Sequence, residues 1–202
     1  MKLRDGTRAR LRVVQRADRE LLLRGFDRLS SRSRYLRFLS PKDGLSEAEL
    51  DDLLTLDGND RFALGAQTLL PGGGEGEGLG IARFARLPDT PAVAEAAVTV
   101  TDEAQGKGLG TILLTRLAAA ARERGVERFA CEFDAANERI WHLVQQLGPR
   151  VEVLDHGFVR VEVPVPPVAA TSAPRDARPR PSSRSRRRPR PRATAGRKKV
   201  RG

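Results

Sequence analysis

The stretch AEAAVTVTDEAQGKGLG, residues 94–110, gathers the residue types that could handle a phosphate. A run of alternating apolar residues ends in Gln105-Gly106-Lys107-Gly108-Leu109-Gly110, and a helical period starts inside the glycines. Glycines let the backbone approach a ligand closely and take positive φ without strain. The first turn of a helix leaves its N–H groups without acceptors, with the positive end of the helix dipole behind them. Together these make a ready site for a phosphate or pyrophosphate. Several phosphate loops share that logic, so spacing has to separate them. A Walker A loop needs G-x-x-x-x-G-K-[ST], which is absent. A dinucleotide fingerprint needs G-x-G-x-x-G. With Gly106 and Gly108 as its first two glycines, Thr111 takes the third place; starting at Gly108 puts Leu113 there. Glu132 or Asp134 would still mimic the ribose-binding acid of that fold, so the dinucleotide reading stays open. So does a turn of small residues that only packs.

Such a loop needs a strand before it and a helix after it, and the pattern supplies both. Ala92–Thr101 alternates as a strand, and Gly108–Arg124 repeats Leu109, Leu113, Leu117 and Ala121 at helical spacing, with Gly125 at the C-terminal cap. Upstream, Asp5-Gly6 marks a hairpin between residues 2–4 and 7–14. Helices are predicted over 17–29, over 33–39, and from the Ser46/Glu49 capping box to about Leu56. Residues 61–70 and 79–86 read as strands joined by PGGGEGEG, a flexible turn with no packing capacity, and should form a meander with Ala92–Thr101. Residues 127–133 form a further strand and 137–147 a helix. Strands at 151–153 and 158–163 close a hairpin around Asp155-His156-Gly157. This order predicts a mixed α/β sheet, mostly antiparallel and covered by helices, and not an alternating doubly wound fold.

At Gln105, Gly108 and Gly110 the chain resembles the GNAT acyltransferase family, whose pattern [Q/R]-x-x-G-x-[G/A] lies between a strand and a long helix. The resemblance spans about residues 8–163. SRSRYLRFLSP (residues 31–41) and AEAAVTV before the loop bring it nearest the bacterial protein-lysine acetyltransferase group. It implies an N-acetyltransferase that uses acetyl-CoA as acyl donor. The amides of Gln105, Gly106, Lys107, Gly108, Leu109 and Gly110 would cradle the CoA pyrophosphate. The edge at Val98 and Val100 would pair with the pantetheine arm, and the Val98 N–H would polarise the thioester carbonyl. Asn137 stands where the family contacts the same arm, although Asn is also a favoured N-cap. Glu95, ten residues before Gln105, holds the place of the general base. An amine must lose a proton before it attacks a thioester, and a carboxylate can take it directly or through water. From Glu95 to Val98 is about 10 Å along a strand. A solvent-facing glutamate is the plain alternative. The family's tyrosine acid, seven residues past the Asn, is Val144 here, which leaves the departing thiolate to take its proton from water.

The remaining reactive residues form no second constellation. His142 reads as a surface or packing residue, His156 as a turn residue, Cys131 as a small hydrophobe on a buried strand, and Trp141 and Tyr35 as packing residues, with a place lining the acceptor site as the alternative for either. No metal-ligand spacing occurs, so no metal is expected. The single cysteine among 202 residues also excludes an internal disulfide and points to a reducing cytoplasm. No apolar run approaches a membrane span, and MKLRDGTRAR lacks the apolar core of a secretory signal.

Charge divides the chain in two. The net +11 sits in residues 165–202, which carry 13 of the 37 Lys and Arg and one of the 26 acidic residues; the rest is close to neutral. The expected domains are therefore a GNAT body over 1–164 and a disordered, basic Pro/Arg/Ser-rich tail over 165–202. Such a tail would attract nucleic acid or another polyanion weakly and without sequence preference. The acceptor expected is an amine, a protein lysine before a small molecule. A degenerate module that only binds acyl-CoA is the competing class.

Overall fold

Seven strands form one sheet in the order β1-β2-β3-β4-β5-β7-β6, in a computed structural model that describes residues 1–165. The strands are β1 (Ala9–Val13), β2 (Arg61–Leu69), β3 (Glu75–Leu87), β4 (Thr90–Val100), β5 (Arg128–Asp134), β6 (Arg150–Val153) and β7 (Phe158–Pro164). Between them run α1 (Arg19–Asp27), α2 (Ser31–Phe38), α3 (Glu47–Leu54), α4 (Leu109–Glu123) and α5 (Glu138–Val144). Every pairing is antiparallel except β4 with β5. The mixed, mostly antiparallel sheet flanked by helices is the architecture that the period changes predict. The basic segment assigned as a tail lies, from residue 166 onward, outside the described residues.

The helices begin and end where local chemistry allows. Ser46 and Glu49 close the expected capping box: Ser46 Oγ accepts from the Glu49 N–H, and Glu49 Oε2 from the Ser46 N–H. At the end of α4 the Val126 N–H reaches Ala121 O and the Gly125 N–H reaches Arg122 O. That Schellman closure is made possible by Gly125 at φ 78°. Leu113, Leu117 and Ala121 of α4 are fully buried against Phe62, Ala82 and Phe84 of the sheet. Burying each leucine contributes about 1.5–3 kcal/mol. On the opposite face, α1, α2 and α3 cover β1–β4, with Val14, Leu50, Leu54 and Ala63 as a second, smaller core.

Two sequence expectations need correction. The loop PGGGEGEG is not a slack turn throughout, because β3 starts at Glu75 and pairs with Gln67 and Leu69 of β2. Gly76 is needed for space: a Cβ there would stand 2.4 Å from Thr68 Oγ1, whereas one on Gly78 would make only ordinary contact with Leu21 of α1 at 3.6 Å. Near the N-terminus, the Asp5-Gly6 turn forms, but only one bridge, Lys2 to Arg8, pairs its arms. Gly6 at φ 90° turns the chain so that buried Leu3 can anchor it.

Candidate active site

The site lies where β4 and β5 part. These parallel strands pair only through Val93/Arg128, Ala94/Phe129 and Glu95/Ala130. Beyond Glu95, β4 continues beside β3 while β5 continues beside β7, so a notch opens between them. Antiparallel ladders bond alternate residues to a given neighbour. The Thr101 N–H donates to Leu79 O, which turns Thr101, Thr99 and Ala97 toward β3. Val98 and Val100 therefore direct their backbone groups into the notch. The Val100 carbonyl is already met there by Gln105 Nε2 at 3.1 Å, whereas the N–H groups of Val98 and Val100 face the gap.

The glycine loop stands at the open end of that notch. Gly106 (φ 73°) and Gly108 (φ 85°) hold left-handed conformations that only glycine takes without strain. Gly108 is the N-cap of α4 and offers no side chain to it. The first helical bond runs from the Ile112 N–H to Gly108 O. Leu109, Gly110 and Thr111 thus present N–H groups with no acceptor in the helix, at its positive end. A Cβ on Gly106 would meet nothing within 4 Å, and one on Gly110 only Val100 Cγ2 at 3.9 Å. This open, donor-rich cradle suits a pyrophosphate.

Polar side chains fix the loop from three elements. Gln105 donates to Ser33 Oγ of α2 at 3.1 Å and accepts from Arg139 of α5. Asp102 accepts from the Ser30 N–H and from the hydroxyls of Ser30 and Ser33. Burial works to raise the Asp102 pKa, but the bonds from Ser30 and Ser33 outweigh it and hold the carboxyl below its ordinary value. Lys107 turns its ammonium to Asp5 at 2.7 Å, and the Arg4 N–H bonds Lys107 O. Lys107 therefore offers the loop its backbone, while its charge is answered by the N-terminal turn. Sequence reasoning missed Ser30, Ser33, Asp102 and Arg139, whose partners are far away along the chain.

The other predicted residues separate clearly. Glu95 is exposed on the face of β4 away from α4, in line with Ala97 and Thr99. Those two residues line a mostly apolar cavity of about 100 Å³ between the sheet and helices α1–α3. Glu95 and the notch thus meet at one strand from its two sides. Asn137 caps α5, its Oδ1 accepting from the Ile140 N–H at 3.4 Å, so the capping role is real. Val144, in the place of the family's tyrosine, is buried and carries no proton to give. Cys131 is partly buried, and desolvation pushes its thiol up to about 11. Trp141 packs edge-on against Phe133 and donates to Ala135 O, and His156 occupies the hairpin turn at φ 61°.

The chain is similar to known proteins in sequence and in fold. Residues 35–148 match the acetyltransferase (GNAT) family. The acetyltransferase Pat of Mycolicibacterium smegmatis is 33% identical over 168 residues, 83% of this chain. The chain spans only 49% of that relative's length. The crystal structure of the GNAT domain of S. lividans PAT superposes with a TM-score of 0.70 at 34% identity, covering 81% of this chain and 94% of that one. A Salmonella typhimurium protein solved with its cofactor acetyl-CoA shares the fold, at a TM-score of 0.59 and 19% identity over 82% of this chain and 98% of that one.

Proposed function

This chain belongs to the acetyltransferase (GNAT) family, and we propose that it moves an acetyl group from acetyl-CoA to the side-chain amine of a protein lysine. The observation that carries the reading is the notch, with the N–H groups of Val98 and Val100 open beside the glycine cradle. The amides of residues 106–110 receive the pyrophosphate of the donor, whereas the expected share of the Gln105 N–H is already spent on Asp102 O. The pantetheine arm lies along β4 as an extra strand, with Asn137 at its flank. The Val98 N–H then points at the thioester carbonyl oxygen, where negative charge gathers as the amine attacks.

Glu95 takes the proton that the amine must lose. Nitrogen bonds to the carbonyl carbon, the carbon–sulfur bond breaks, and the CoA thiolate leaves and takes a proton from water. The acceptor enters from the side of α1 and α2, where the apolar cavity beside Ala97 and Thr99 suits the four methylenes of a lysine stem. The resemblance of residues 31–41 and 94–100 to the protein-lysine acetyltransferase group supports a protein acceptor. The single cysteine and the absence, among the described residues, of a helix able to cross a membrane fit a reaction carried out in the cytoplasm.

The test is to incubate the full chain with isotope-labelled acetyl-CoA and a cell extract, then locate the label by mass spectrometry. Labelled protein lysines are the expected result. Label in small amines alone would move the acceptor to that class. Tight acetyl-CoA binding with no transfer to any amine would make the chain a binding module.

A further inference from the structure

The sheet ends in two unlike edges, β1 and β6. On β1, Arg10 and Arg12 carry one sign of charge and are answered within the chain, Arg10 by Glu75 and Arg12 by Asp18 and Glu75. The β6 edge reads Arg150-Val151-Glu152-Val153, and all four residues are exposed. Among the described residues neither Arg150 nor Glu152 forms an ion pair, because their cross-strand neighbours on β7 are taken. Glu162, opposite Arg150, binds Arg128 at 2.9 Å, and Arg160, opposite Glu152, binds Glu132. Val151 and Val153 stand opposite buried Val161 and Val159, so they carry the apolar face of the sheet out to its rim, where they are 48% and 80% exposed. The edge is open along its backbone as well. The Leu154 N–H donates to Phe158 O, so by the alternation of an antiparallel ladder Glu152 and Arg150 also turn their backbone groups to β7. Val151 and Val153 turn theirs outward. An unpaired edge with apolar side chains is a template for another strand.

We propose that a second copy of this chain pairs with β6, antiparallel about a two-fold axis at Val151, and joins the two sheets into one. Charge selects both the partner and the register. An axis at Arg150 or at Glu152 sets like charges opposite each other, and an axis at Val153 leaves both charges without a partner. An axis at Val151 sets Arg150 of each copy against Glu152 of the other, as a self-complementary interface requires. Along that face the charges then alternate in sign: Glu162 and Arg150, followed by Glu152, Arg160 and Glu132 of the second copy. On the other face Val151 meets Val151 of the second copy, and Val153 meets its Pro149. The backbone agrees. Val151 exchanges both of its bonds with its counterpart, and the Val153 N–H reaches the Pro149 carbonyl, where the missing proline N–H ends the ladder. Strands β5 and β7 stand between this edge and the notch, so pairing leaves the proposed donor site open.

Sedimentation velocity on the full-length protein tests the idea. A seam this short belongs at the weak end of specific interfaces, so the runs cover about 1 µM to about 1 mM, where the average mass should climb toward twice that of one chain. Arg150→Glu and Glu152→Arg should each raise the dissociation constant by roughly tenfold or more, because each alone makes both cross-strand pairs repulsive. Mixed in equal amounts, the two variants should pair again, since each offers the other the sign it lacks. Val153→Lys alters only an exposed side chain and should weaken the dimer too. Thermal melts beside the runs show that the variants fold. A parent that stays monomeric over the whole range overturns the proposal. So does a dimer that withstands the charge reversals or Val153→Lys, or a mixture of the two charge variants that stays monomeric while the parent dimerises.

Discussion

Gly108 and Gly125 start and finish the same helix in the same strained region, at φ 85° and 78°, and so provide a matched pair. An alanine at either place costs about 1–2 kcal/mol in left-handed backbone strain. Nothing lies within 4 Å of the added methyl at Gly125, and at Gly108 the nearest atom is Arg4 Nε at 3.4 Å, on a side chain free to move. The two variants should therefore lose similar stability. For a domain of this size that means melting roughly 2–8 °C lower. Only Gly108 belongs to the proposed pyrophosphate cradle. Gly108→Ala should weaken acetyl-CoA binding at least tenfold, about 1.4 kcal/mol, while Gly125→Ala stays within about twofold of the parent. Calorimetric titration beside thermal melts reads both quantities. If Gly108→Ala shows the melting drop and keeps full affinity, the strain is present and the cradle is not, and the site has to be sought elsewhere.

Glu95→Gln keeps shape and hydrogen bonding but removes the base, so turnover on a verified acceptor should fall about 10²–10⁴-fold with acetyl-CoA affinity retained; a rate within twofold of the parent would leave Glu95 a surface residue. Burial raises the Cys131 thiol to about 11, so the thiolate forms only as pH rises toward that value in the folded protein. Iodoacetamide at pH 8 should label the native chain far more slowly than the unfolded one, and equal rates would refute the burial. Deleting residues 171–202 should leave acetyl transfer to a small amine intact and remove low-salt binding to duplex DNA, because the excess positive charge resides there. Loss of transfer on deletion would extend the catalytic body past its expected boundary.

Much of this was legible in the chain because local rules governed it. The Ser46/Glu49 box, the leucine stripe of α4 and the Gly125 cap depend on near neighbours, and each formed as read. Gly76 and Gly78 misled, since glycine usually marks a turn, whereas here both lie within β3 and Gly76 leaves space that Thr68 of β2 fills. The β2-β3-β4 meander and the β6–β7 hairpin were legible from their turns, but nothing near β7 announces that it inserts between β5 and β6. Of the site, the loop and Glu95 were visible through motif and spacing. The Asp102 cluster was not, because its partners Ser30 and Ser33 lie far away along the chain.

The brevity of the β4–β5 seam has a consequence for how the molecule breathes. Three residue pairs join a four-stranded meander to the β5-β7-β6 group, whereas the ladders inside each half are longer. Cooperative units of partial unfolding follow such weak lines. The amides of β5, β7 and β6 should then exchange with deuterium together, by opening along the seam, ahead of the core of β2–β4. A donor lying in the notch and bonded to β4 bridges that line, and it should slow exchange on both sides of it, including at amides it never touches.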